Sequence, residues 1–515
     1  MNILTAFEVL ASQNPSKTAV ADENCRISFA ELRTAAACLG AAVRNRQAAG
    51  GPVGVLVHRG AETVTLFFAA VYGGCFYVPL DPELPPHKLE TVLADAGIRL
   101  VLGVPEDAEL LSAAAFSGCL LTLADAASEP TALPEAADDA PLYMVYTSGS
   151  TGRPKGVLKS HGAMANFIAA YTARFGLTDV EVIGNQNPFF FDAAAKDLYY
   201  MACVGATLEV IPSEKFIFPV RLVEYLNVRR ITYTCWVPTA YALVTQLNTF
   251  RQLLPETLRH VFFVGEPFPI KQLHKWLTAL PELHYVNLYG SSELAGVCCA
   301  YEIPAGSLPQ TLPMGKPLPN CRVLLRGENG FVTEPSVLGE VWIVSPALAL
   351  KYWGDAEKTA AVFTEETLPD GSRARVLRSG DLAQYDEAGN LIFVSRKDFQ
   401  IKHMGRRIEL GEIEAVADAL PEIARCCCLY NEQKKRIELF CELSSQGTMP
   451  APKESVGTSL ACPPDLRQPL DGKAIQSLLR PLLSDYMLPT KVHILDKLPT
   501  NPNGKLHRQA MKEMM

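Results

Sequence analysis

One pattern constrains this chain more than any other: short runs of β-branched and aromatic residues alternate with amphipathic stretches as far as Leu288. The runs at 52–57, 76–79, 98–103, 143–146, 207–211, 231–236, 260–264 and 285–288 read as strands, and the stretches at 30–43, 61–71 and 87–96 read as helices. A strand reaches a parallel neighbour only through a crossover, so strands separated by helices predict βαβ units and largely parallel sheets. From Val323 to Tyr352 the helical stretches give way to turn signals such as Gly327-Glu328-Asn329-Gly330, which predict an antiparallel or barrel-like piece. A second change falls at 396–400, after the hairpin-like 385–391. The segment beyond it, about 115 residues, is the size of one small domain. Within it, 444–472 is rich in Pro, Ser and Gly and reads as a flexible surface insertion.

Composition excludes several classes of function. At 515 residues the chain can build several large cores. Its 47 Lys and Arg against 55 Asp and Glu leave a formal charge of −8, which offers no basic face to nucleic acid or an anionic membrane. The 14 cysteines include Cys298-Cys299 and Cys426-Cys427-Cys428, fit no disulfide framework and contain no CxxC pair for zinc. As small hydrophobes they suit a reducing cytoplasm. The opening MNILTAFEVLASQNPSK has no basic n-region and carries Glu8, so no secretory signal is expected. The uncharged stretch 63–80 is long enough to test as a membrane span. Its Gly73-Gly74 pair and Pro79 instead predict a buried helix turning into a strand. A cytoplasmic location is expected, with no nucleic-acid partner and no integral membrane association.

The chemistry-bearing string is Tyr146-Thr147-Ser148-Gly149-Ser150-Thr151-Gly152-Arg153-Pro154-Lys155-Gly156-Val157. It lies between the strand-like 142–145 and a helical stretch from Ser160, and reads as one loop of small residues. Such a loop can bend round an anion and offer it hydroxyls and backbone N–H groups, with Lys155 adding a point charge. The Walker A spacing is not met. The full string resembles the phosphate loop of the adenylate-forming superfamily, which includes acyl-CoA synthetases, luciferases and nonribosomal peptide synthetase adenylation domains. Further motifs resemble the same superfamily, in order along nearly the whole chain: Ile27-Ser28-Phe29-Ala30-Glu31-Leu32, Gly74-Cys75-Phe76-Tyr77-Val78-Pro79-Leu80-Asp81, Asn287-Leu288-Tyr289-Gly290-Ser291-Ser292-Glu293, Gly339-Glu340-Val341, Arg378-Ser379-Gly380-Asp381-Leu382, Ser395-Arg396-Lys397-Asp398, Leu410-Gly411-Glu412-Ile413-Glu414 and Asn501-Pro502-Asn503-Gly504-Lys505. Amino-acid-activating adenylation domains and D-alanine–carrier protein ligases are the most similar subfamily.

The resemblance implies an α/β fold: a large N-terminal domain (1–397) of two parallel-sheet subdomains plus a small β-barrel-like subdomain, and a small mobile α+β C-terminal domain (398–515). It implies ATP and Mg²⁺ as cofactors and an acid–thiol ligase acting through an acyl-adenylate. Lys505 would bridge the substrate carboxylate and the α-phosphate, with Lys155 assisting and Glu293 holding Mg²⁺ through a hard oxygen ligand. Nucleotide contacts would come from Thr147, Ser148, Gly149, Ser150, Thr151, Gly152, Gly265, Glu266, Asn287, Tyr289, Gly290, Ser292, Asp381, Phe393 and Arg396. Asn287 would address the adenine amino group, Tyr289 would stack on the ring, and Asp381 would accept both ribose hydroxyls. Ser291-Ser292 stands where the usual motif has Pro-Thr, keeping the second hydroxyl but not the rigid turn. Asp398 matches the hinge position.

By the same resemblance, Asp192 in Asn187-Pro188-Phe189-Phe190-Phe191-Asp192 would bind a substrate ammonium, which favours an amino acid over a fatty or aryl acid. Lys196 admits two readings: a pocket lysine facing a second polar group of the substrate, or an i, i+4 helix partner of Asp192. The remaining wall would be Cys235, Phe262, Val264, Leu288, Gly296 and Val297, mostly apolar, suiting a small or medium side chain. No Gly-Gly-x-Ser-type carrier motif or His-His condensation motif occurs, so the expected acceptor is the phosphopantetheine thiol of a separate carrier protein, with coenzyme A as the lesser possibility.

Overall fold

The computed structural model describes residues 2–147, 154–304, 306, 308–398, 400–444, 470–500 and 506–515. The chain divides into two compact units, with the first ending at Asp398 and the second running from Phe399 to Met515. Most of the insertion expected at 444–472 lies outside the described residues.

The first unit holds two predominantly parallel sheets. One has nine strands in the order Lys316–Pro317, Cys299–Glu302, His284–Tyr289, His260–Val264, Tyr233–Trp236, Val182–Asn185, Thr207–Val210, Thr18–Ala21 and Arg26–Ser28, antiparallel only toward its edges. The other has seven, in which Pro141–Thr147, Phe76–Leu80, Pro52–Leu56, Leu100–Leu102 and Cys119–Leu121 run parallel. One apolar core joins residues of both sheets with the helices packed on them, including Phe7, Phe29, Phe67, Phe68, Phe167 and Tyr171. The expected barrel-like piece is a six-stranded antiparallel sheet, in which Leu391–Arg396 pairs with Arg373–Tyr385.

Local sequence explains the buried helix at 61–72. Helix Ala61–Tyr72 buries every residue except Glu62. It then turns at Gly74, whose φ of +77° favours glycine, into the wholly buried strand Phe76–Leu80. A Cβ at Gly73 would lie 2.5 Å from the Val43 side chain, so glycine there lets this helix pack against the helix Phe29–Arg44. Among the described residues, no helix is long and apolar enough to cross a membrane. The Ile27–Leu32 motif includes a capping box: Ser28 Oγ accepts from Glu31 N at 3.3 Å, and Glu31 Oε2 accepts from Ser28 N at 2.8 Å.

One local expectation needs correction. The string 146–157 is not a single loop between strand and helix. Its two ends pair antiparallel, Thr147 opposite Lys155 and Tyr146 opposite Gly156, so Lys155–Ser160 is a strand. Only after this strand does Ser160 cap the helix His161–Phe175. A strand thus stands where the helix start was expected to follow the string directly. Residues 148–153 lie outside the described residues.

The second unit pairs Gln400–His403 with Arg406–Glu409 and holds a three-stranded sheet of Ile423–Asn431, Arg436–Leu443 and Lys491–Ile494. Cys426, Cys427, Cys428 and Cys441 are all buried there. The described cysteines are free thiols.

Candidate active site

The C-terminal ends of the parallel strands in the nine-stranded sheet carry the expected pocket wall. Cys235 pairs with Phe262 and Val264 with Leu288, so the cross-strand register puts all four side chains on one face. Cys235 and Phe262 are fully buried, and Leu288 and Val297 nearly so. Phe262 packs into an aromatic cluster, 4.9 Å from the Phe175 ring and 5.4 Å from that of Tyr233. At Gly296 an added Cβ would lie 2.3 Å from the Phe167 ring, and at Gly290 2.5 Å from the Gly296 carbonyl. Both glycines are needed for close packing beneath the loop that bears Glu293.

The helix Asp192–Val204 carries two buried ion pairs, and neither is the expected one. Asp192 does not pair with Lys196. Its Oδ1 accepts from Lys159 Nζ and from Tyr143 Oη at 3.1 Å. Lys196 instead bonds Asp197, whose Oδ2 also accepts from Asn185 at 3.2 Å, and Lys196 reaches Tyr233 Oη at 3.3 Å. The reason is tertiary: the i, i+4 geometry was available, but strands 141–147 and 155–160 place stronger, desolvated partners against the helix N-terminus. Lys196 is therefore already charge-compensated, which counts against its facing an acidic substrate group. Burial raises the Asp192 carboxyl above its ordinary range and lowers the Lys159 ammonium, and the attraction between them opposes both shifts.

Glu293 is nearly buried, accepts from Tyr352 Oη at 2.7 Å, and acts electrostatically on both Lys159 and Asp192. Among the described residues no cluster of three or more His, Cys, Asp or Glu could hold a metal ion. A single carboxylate still fits Mg²⁺, which commonly takes one or two protein carboxylates and completes its shell with phosphate oxygens and water.

The nucleotide candidates form a second group. Asp381 stands opposite Arg396 in the hairpin, and its carboxylate accepts from Arg396 and from Tyr289 Oη. Arg396 also holds Asp398 through Nε at 2.6 Å and Nη2 at 2.9 Å. Gly380, with φ +74°, places the strand so that Arg396 passes beside it. Asn287 donates through Nδ2 to the Pro313 carbonyl at 2.6 Å, leaving its Oδ1 as an acceptor. Gly265 follows strand His260–Val264 with φ +104°, and Glu266 next to it accepts from Thr239 N at 2.8 Å. Thr147 and Lys155 stand opposite each other at the ends of their strands, Ser292 is half-buried, and Phe393 is exposed on its strand. Ser148, Gly149, Ser150, Thr151, Gly152 and Lys505 lie outside the described residues.

The family described as AMP-binding enzyme matches residues 7–353. The chain belongs to this family. It is 29% identical to tyrocidine synthase 1 of Brevibacillus parabrevis over 98% of the chain, and spans 44% of that protein, less than half its length. A D-alanine–D-alanyl carrier protein ligase of Bacillus cytotoxicus is 26% identical, with 99% of each chain covered. Among solved structures, holo-PA1221, an NRPS protein containing adenylation and PCP domains, superposes with a TM-score of 0.83 at 23% identity, covering 100% of this chain and 84% of that one. The α/β architecture is shared with that protein and with an o-succinylbenzoate CoA synthetase of Bacillus subtilis, which superposes with a TM-score of 0.82 at 22% identity, covering 99% of this chain and 98% of that one.

Sequence reasoning missed Lys159, Tyr143, Asp197 and Tyr352. A signal existed for one of them. A lysine between Leu158 and Ser160, in a run that burial makes continuous from Gly156, is a charge needing an internal partner.

Proposed function

We propose that this AMP-binding enzyme uses ATP to activate an amino acid as its aminoacyl-adenylate and passes the acyl group to the phosphopantetheine thiol of a carrier protein. In the first step a carboxylate oxygen attacks the α-phosphorus and pyrophosphate leaves. In the second, the thiolate attacks the acyl carbon and AMP leaves. Asp381 takes the ribose hydroxyls, Asn287 Oδ1 accepts from the adenine amino group, and Lys505 draws the two anions together. Glu293 is the residue to hold Mg²⁺, which supplies positive charge to the phosphates when bound. Asp398 is the proposed pivot between the two chemical steps, with 1–397 and 398–515 as the bodies it joins.

The observation that carries the amino-acid reading is Asp192: a largely buried carboxylate at the start of its helix, held through one oxygen by Lys159 and Tyr143 and only 17% exposed. The match to a carrier protein ligase along 99% of both chains supports the thiol acceptor. One observation favours a second reading, an acyl- or aryl-CoA ligase: Lys159 already compensates Asp192 without a substrate ammonium.

The test is pyrophosphate exchange over D-, L- and β-amino acids beside the same acids lacking the amino group, followed by loading of a carrier protein or coenzyme A. Exchange driven by amino acids supports the first reading. Exchange with fatty or benzoic acids alone replaces it with the second.

A further inference from the structure

The geometry points to Lys159 as a positioning residue that holds one oxygen of Asp192 and so presents the other to the substrate ammonium. This rests on the amino-acid reading. Lys159 is fully buried and cannot itself touch a substrate. Its Nζ and the Tyr143 hydroxyl both bond Oδ1 of Asp192. Among the described residues no donor reaches Oδ2, and the Asp192 side chain is 17% exposed. A carboxylate anchored twice through one oxygen cannot exchange its oxygens without breaking both bonds, so Oδ2 is fixed as the free acceptor.

The electrostatics agree: Glu293 acts on both Lys159 and Asp192, and Lys159 is the charge that offsets Asp192 within this buried group. Among the described residues Tyr77 on the strand Phe76–Leu80, Tyr143 on Pro141–Thr147 and Tyr352, which bonds Glu293, also face the cluster, and burial keeps Tyr77 and Tyr143 protonated. Without Lys159 the same site would hold two desolvated carboxylates, an arrangement that favours uptake of a proton over uptake of substrate. The neighbouring Lys196–Asp197 pair has no equivalent opening, since Asn185 occupies Oδ2 of Asp197.

The experiment compares pyrophosphate exchange for the preferred amino acid and for the same acid without its amino group, in the full chain. For Lys159→Met, KM for the amino acid is expected to rise about ten-fold or more while kcat stays within about three-fold, and KM for the des-amino acid is expected to stay unchanged. Tyr143→Phe, which removes only the second anchor and keeps the ring, is expected to show the same split at about three-fold. An unchanged amino-acid KM in either folded variant overturns the inference, as does a parallel rise for both acids, the mark of a purely structural role. If Lys159→Met does not fold, Tyr143→Phe alone decides. A wild-type enzyme that ignores every amino acid overturns the amino-acid reading itself, and this is seen before any variant is made.

Discussion

Two lysine–aspartate pairs have their aspartates less than two helical turns apart on one helix, yet their designs differ. In the Lys196–Asp197 pair the residues are adjacent in sequence, 4% and 0% exposed, and the aspartate's second oxygen is taken by Asn185. In the Lys159–Asp192 pair the residues are 33 positions apart, the lysine is buried, and the aspartate keeps one oxygen uncovered. A closed pair can only support the fold. An open pair has bonding capacity left over, and on the proposed reading that capacity takes the substrate ammonium.

The comparison can be broken in four ways. Asp197→Asn leaves Lys196 buried without its counter-charge, and should destabilise the chain by about 3–5 kcal/mol in denaturant unfolding while leaving the ranking of amino-acid substrates as it was. Asp192→Ala should lower kcat/KM for amino-acid-dependent pyrophosphate exchange about 100-fold, near 2.7 kcal/mol, with a much smaller effect on exchange driven by a des-amino acid. Equal losses for both acids would show that the open pair is as structural as the closed one. Gly296→Ala, which drives a methyl into the Phe167 ring, should cost about 1–3 kcal/mol of stability and raise KM for the larger amino acids first. The mildest change should be the double variant Lys196→Met with Asp197→Leu. Removing both charges together should return stability to within about 1.5 kcal/mol of the parent, because desolvation and attraction vanish as a pair.

Most of the fold was legible because local signals and tertiary packing agreed. The strand expected at 260–264 is His260–Val264, and the helix expected at 87–96 is Pro86–Ala96. The motif around Ser28 and Glu31 was legible as a pattern, but its physical content, a helix cap, needed the backbone. The segment 155–157 was read as loop because a glycine-rich string leaves too few alternating positions to announce a strand, and its pairing with 145–147 is what creates it. The site was legible only in part. Asp192, Asp381 and Tyr289 were named from their motifs, but their pairings, Asp192 with Lys159 and Asp381 with Tyr289, were not, because such pairings are set by the way sheets and helices stack. The i, i+4 rule pointed at Lys196 because it sees one helix at a time.

One guanidinium at the edge of the first unit has a consequence of its own. Arg396 divides its donors between Asp381, which it meets across the hairpin, and Asp398, the last residue before the second unit. Two carboxylates on a single cation share a limited supply of N–H groups. If the backbone at Asp398 turns, Nε is released, Nη2 keeps only the Ser379 carbonyl, and the remaining ionic attraction falls on Asp381. The bonding of Asp381 is thus tied to the backbone state two residues beyond Arg396, with no element between them to carry the message.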